Sequence, residues 1–100
     1  MIIATFSGNG FTRDLYESLR QEVGWETDQI DGWIVHAVRF DESGEIQMVN
    51  VWESLDHMSE AFRDRLGPVM RKLGIPQPRV EVHDAYNVNV FATTFQDTRT

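Results

Sequence analysis

Two β-rich apolar runs, Trp33 to Phe40 and Ile46 to Trp52, are joined by Asp41-Glu42-Ser43-Gly44-Glu45, and both carry apolar residues at odd and even positions alike. The joining segment predicts a hairpin with a loop of Glu42, Ser43 and Gly44, in which Gly44 takes the left-handed conformation at a bulge and Asp41 pairs with Glu45. In that register Phe40, Val38, His36 and Ile34 stand opposite Ile46, Met48, Asn50 and Trp52 on one face. Arg39, Ala37, Val35 and Trp33 stand opposite Gln47, Val49, Val51 and Glu53 on the other. An antiparallel hairpin in an ordinary two-layer domain has one wet face, so this one needs two covers. Helices can supply one cover, and a second subunit can supply the other.

The flanking segments contain enough helix for one face only. Ile2 to Phe6 reads as a strand closed by a turn over Ser7 to Gly10. Thr12 caps a helix whose Leu15, Leu19 and Val23 recur on one side before Gly24 stops it. Ser54 caps a second helix with the stripe Leu55, Met58, Phe62 and Leu66, ending at Gly67; Pro68 opens a short further helix that Gly74 stops. Pro76-Gln77-Pro78 is a stiff connector into a long last strand, in which Val80, Val82, Tyr86, Val88 and Val90 alternate with polar neighbours. The order predicts an α+β fold of the ferredoxin-like split βαβ type with a four-stranded antiparallel sheet. One domain over residues 1–92 is expected, followed by a polar C-terminal tail, 93–100. The face bearing Ile34, Val38, Phe40, Ile46, Met48 and Trp52 is expected to lie bare of helices and to pack against a second copy as a homodimer.

Composition narrows the function classes. The chain has 100 residues, 41% hydrophobic and 25% charged, which suits one globular domain. Its net charge of −7 opposes nucleic acid and anionic lipid, so neither is an expected partner. With no cysteine there are no disulfides, thiolate nucleophiles or iron–sulfur clusters. The N-terminus lacks a basic region and its apolar start is too short for a signal peptide or a membrane span, so a cytoplasmic location is expected. Gly8-Asn9-Gly10 lacks the third glycine of a dinucleotide-binding turn and reads as a tight turn.

Polar groups on an apolar strand face call for a reason, and His36 and Asn50 stand directly opposite one another there. In a pocket, neutral His36 would accept a proton from an acidic phenol or enol and Asn50 would donate to the developing oxyanion. Trp52 would supply a flat wall, with Ile34, Val38, Phe40, Met48, Phe62 and Tyr86 as further substrate-binding candidates. The structural alternative is a His–Asn hydrogen bond that satisfies two buried groups in a core. His57 has Glu53 four residues before it and Glu60 three after it, but two protein ligands rarely make a metal site, so no metal is expected. His83 reads as a surface or interface residue, and Arg63 and Arg65 either face solvent or meet an anionic substrate.

Asp31-Gly32-Trp33-Ile34-Val35-His36, Val51-Trp52-Glu53-Ser54, Arg65-Leu66-Gly67-Pro68 and Gly74-Ile75-Pro76-Gln77-Pro78 together resemble the dimeric α+β-barrel superfamily, in particular the small proteins grouped with antibiotic biosynthesis monooxygenases. The resemblance covers about residues 2 to 90. It implies a homodimer with a pocket in each subunit, and chemistries that range from cofactor-free oxygenation of phenolic or quinone-like compounds and haem degradation to isomerisation and polyketide cyclisation. Many oxygenase-like relatives carry a histidine about ten residues after the junction tryptophan, where this chain has Phe62-Arg63. That departure bears against haem handling and histidine-assisted oxygenation. The resulting expectation is a small cofactor-independent enzyme of secondary metabolism acting on an aromatic or polyketide-like molecule by proton abstraction, as an oxygenase or an isomerase/cyclase. A non-catalytic dimeric ligand-binding or accessory protein is the alternative.

Overall fold

The structure, a computed structural model, describes residues 1–92; the expected tail 93–100 lies outside them. The elements run β1 (Ile2–Ser7), α1 (Arg13–Val23), β2 (Trp33–Phe40), β3 (Ile46–Trp52), α2 (Leu55–Ala61), a π-helical segment (Phe62–Leu66), α3 (Gly67–Leu73) and β4 (Arg79–Asp84). The strands form one antiparallel sheet in the order β2-β3-β1-β4, the ferredoxin-like α+β arrangement. Among the described residues no helix is long and apolar enough to cross a membrane.

Local chemistry accounts for the element ends. The Thr12 hydroxyl accepts from the Leu15 amide to start α1, Gly24 ends it with φ +69°, and Ser54 accepts from the His57 amide to start α2. In the hairpin the Asp41 amide donates to Glu45 O at 2.9 Å, and Gly44 has φ +85°. β2 and β3 pair from Phe40↔Ile46 through His36↔Asn50 to Val35↔Val51.

There the register slips. Trp33, not Ile34, stands opposite Trp52, and Ile34 is the extra residue of a bulge. Trp33 therefore turns to the face that holds His36 and Trp52, away from the Val35 and Ala37 face on which simple alternation puts it.

The helices cover the face opposite to the one expected to be covered. Ile46, Met48, Asn50 and Trp52 are buried with Ile2, Ala4 and Phe6 of β1, under Leu19 and Val23 of α1 and Leu66 and Met70 further on. The face without helices carries Ile3, Thr5, Val35, Ala37, Val49 and Val51, and Val49 on it is 45% exposed. Side-chain volume explains the choice: the large residues Phe6, Met48 and Trp52 fill the wide space beneath the helices, and the small β-branched ones line the flat open face.

Two further expectations change. Gly67 does not end a helix; its backbone is helical at φ −58° and ψ −46°, and the chain continues from α2 into α3 through π geometry. Pro68 has no amide to donate and its ring crowds the carbonyl four residues back, so a widened turn relieves what would otherwise break the helix. The Gly67 amide donates to Phe62 O, five residues back, and a Cβ at 67 would collide with that oxygen. The last strand stops at Asp84 instead of running to Val90, and Tyr86 beyond it is fully exposed.

Candidate active site

His36 of β2 and Asn50 of β3 meet under the helices, with His36 Nδ1 2.7 Å from Asn50 Oδ1. An amide oxygen has no hydrogen to give, so Nδ1–H donates and Nε2 of the neutral ring is left as an acceptor. Tyr16 of α1 meets that acceptor: its hydroxyl lies 2.8 Å from Nε2 and donates to it. A continuous chain, Tyr16 O–H to His36 to Asn50, thus links α1 to the sheet.

Burial sets the protonation states along this chain. It holds the His36 imidazole below its ordinary pKa, opposed by the hydrogen bond to Asn50 and the negative charge of Glu26. The Tyr16 phenol is pushed up to about 12, again chiefly by burial. At neutral pH the histidine is therefore an uncharged acceptor and the tyrosine a protonated donor. Aromatic rings wall the group in, with Trp33 at 4.7 Å and Trp25 at 5.3 Å from the imidazole centre. Trp52 is wholly buried and stacks on Trp33.

Three hollows surround these residues. A small hollow of about 20 Å³ is lined by Tyr16, Trp33, His36, Met48, Asn50 and Phe62, among others, which is room for about one water-sized molecule. A surface cleft of about 250 Å³ reaches His36 from outside between Trp25, Glu26, Gln29 and Ile34. A larger cavity of about 570 Å³ lies between the sheet and α2–α3, with Phe6, Met58, Ile75 and Val80 as apolar wall and Arg63 and Arg71 as cationic lining. Phe62, Met70 and Pro78 line both this cavity and the small hollow, so the two adjoin.

The fold brings together most of the residues singled out from sequence. His36, Asn50, Met48 and Phe62 border the small hollow, Trp52 lies beside them against Trp33 and Phe62, and the bulge moves Ile34 to the surface cleft. Val38 and Phe40 are half-buried against the core, with Phe40 edge-on to Tyr16 at 6.0 Å. Tyr86 is not part of the group, because the strand expected to carry it ends too soon. Arg63 pairs with Asp64, and Arg65 donates to Val23 O and Asp28 O, which ties the end of α1 to the helix facing it. Sequence reasoning missed Tyr16 and Trp25. The signal for Tyr16 was present, since Tyr16, Leu19 and Val23 repeat at helical spacing and are the buried residues of α1.

No family profile and no curated protein sequence matches the chain. Solved structures do match. An antibiotic biosynthesis monooxygenase-like protein of Deinococcus radiodurans is 20% identical over 92% of this chain and 100% of its own, with a TM-score of 0.58. SnoaB, a cofactor-independent oxygenase from Streptomyces nogalater, is 15% identical over 87% of this chain and 92% of its own, also at 0.58. Rv0793 from Mycobacterium tuberculosis is 16% identical over 89% and 96%, at 0.61. The chain has the ferredoxin-like fold of the antibiotic biosynthesis monooxygenase-like proteins.

Proposed function

We propose that the chain is a small cofactor-independent enzyme that removes a proton from an acidic aromatic or polyketide-like molecule, as an oxygenase or an isomerase/cyclase. The observation that carries this reading is the Tyr16–His36–Asn50 chain at the wall of a cavity. Because Tyr16 already occupies His36 Nε2, the two act as one acceptor. The Tyr16 oxygen takes the proton of a substrate phenol or enol while its own proton passes to Nε2. The imidazolium so formed is held by Asn50 Oδ1 through Nδ1–H, and the Asn50 amide group serves as donor to the substrate oxyanion. The cavity of about 570 Å³ suits a ligand of drug-like size, with Arg63 and Arg71 toward its anionic parts. Displacement of Phe62 and Met70 brings the reactive end to Tyr16.

The fold shared with SnoaB supports the oxygenase form, in which the substrate anion reacts with dioxygen. A second copy on the open face of Val49 and Ala37, giving a homodimer, belongs to the same proposal. One observation favours the alternative, a ligand-binding or accessory protein without chemistry: both imidazole nitrogens are already bonded and the hollow beside them holds only about 20 Å³.

The test is a panel of phenols and cyclic 1,3-diketones incubated with the protein under air and under nitrogen. Turnover in air alone identifies an oxygenase and turnover in both an isomerase or cyclase. Tight binding with no turnover contradicts the enzyme reading.

A further inference from the structure

We propose that Asp31, Glu53 and His57 form a site for a divalent cation of the zinc type, built from residues that the proton-transfer group does not use. The three lie far apart in sequence or on different elements: Asp31 precedes β2, Glu53 follows β3, and His57 sits in the first turn of α2. Three separate features assemble them. The Glu53 amide donates to Gly32 O at 2.8 Å, which ties the segment carrying Asp31 to the end of β3. His57 Nδ1 lies 2.6 Å from Ser54 Oγ, which fixes the orientation of the ring, as an outer hydrogen bond does for metal-binding histidines. Gly32 has φ +81°, and a Cβ there would fall 2.5 Å from His57 Cγ, so only glycine lets the ring lie against this backbone.

The result is that His57 Nε2 faces Asp31 Oδ2 and Glu53 Oε2 at 3.7 Å each, and the three donor atoms lie within 4.8 Å of one another. Those separations are too long for hydrogen bonds. The two distances of 3.7 Å from His57 are close to what a shared cation requires, because ligands about 2.1 Å from zinc at tetrahedral to trigonal angles sit about 3.4–3.6 Å apart, and the exposed carboxylates can close the remaining separation by side-chain rotation. The donor set selects the metal. One imidazole with two carboxylates suits zinc, whereas calcium asks for six to eight oxygens and magnesium for an octahedron of oxygen. Three protein donors leave a further position for water. The bound ion would pin the start of β2 to α2, so it would stabilise the fold as well as occupy the site.

Calorimetric titration of the full chain with zinc chloride tests the site, with melting temperature read in parallel. One ion per chain at micromolar affinity is expected, with a rise in melting temperature. Asp31→Asn and His57→Gln should each weaken binding tenfold or more and remove the thermal shift, while His83→Ala should leave both unchanged. Asp31 is almost fully exposed, so its variant folds whatever the site does. Absence of binding at about 1 mM zinc overturns the proposal, and so does binding that survives either Asp31→Asn or His57→Gln. A plain ion pair of protonated His57 with the two acids would give that first result.

Discussion

The indoles of Trp33 and Trp52 lie parallel across β2 and β3, 4.9 Å apart and inclined by 5°, because a single bulged residue, Ile34, brings Trp33 to the covered face. The pair backs the imidazole of His36 and carries the strand-to-helix junction. Trp33→Ala removes this stack together with the contacts to Trp25 and His36, and should destabilise by about 2–3 kcal/mol, below the range for a fully buried tryptophan because Trp33 is half-buried. The midpoint of urea denaturation measures it.

Gly67→Ala reverses the usual sign of a helix substitution. In an ordinary helix interior the change stabilises by about 0.5–1 kcal/mol. Here the new Cβ meets the Phe62 carbonyl oxygen of the π segment, so a loss of about 1 kcal/mol or more is expected on thermal or chemical unfolding.

The protonation of His36 gives stability a definite pH dependence. Its pKa is lower folded than unfolded, so on acidification the unfolded chain binds the proton first, and stability falls as pH drops below about 6.5. The loss levels off once folded His36 is also protonated. Denaturation midpoints at about pH 7.5 and 5.5 should differ more for the wild type than for His36→Gln, which lacks this titration.

The open sheet face predicts a homodimer at micromolar concentration. Placing a charge at its centre, as in Val49→Glu, should give a monomer by sedimentation, since an obligate interface of about 2,000 Å² does not accommodate an unpaired buried carboxylate. A wild type that sediments as a monomer would remove this part of the account.

Strand and helix identities were legible because each rests on local signals: Thr12 and Ser54 as caps, Gly24 and Gly74 as stops, Gly44 in the hairpin. The His36–Asn50 pairing followed from the loop alone, since the hairpin sets register from its turn outward. The bulge at Ile34 lies at the far end of the same ladder, where no turn residue marks it, so Trp33 was assigned to the wrong face. Which face the helices cover was also missed, as alternation cannot choose when both faces are apolar. Tyr16 entered the site through packing of α1 on the sheet, and Asp31 reached His57 across a backbone hydrogen bond. Neither contact has a local signature. Gly67 read as a stop because Gly-Pro ordinarily ends a helix, and the π turn overrode that preference.

The central claim is that Tyr16 and His36 together accept the substrate proton. Its most direct test is the rate at which the protein exchanges the α C–H of a bound acyclic β-keto ester, which is almost wholly un-ionised at neutral pH, for deuterium from solvent above the uncatalysed background, compared between the wild type and His36→Gln. Glutamine keeps a hydrogen bond toward Tyr16 or Asn50 but cannot take up a proton at neutral pH. The account predicts that the variant binds the probe and remains folded while its exchange rate falls about 100- to 10,000-fold, the usual contribution of a positioned base. Undiminished exchange by His36→Gln would contradict it.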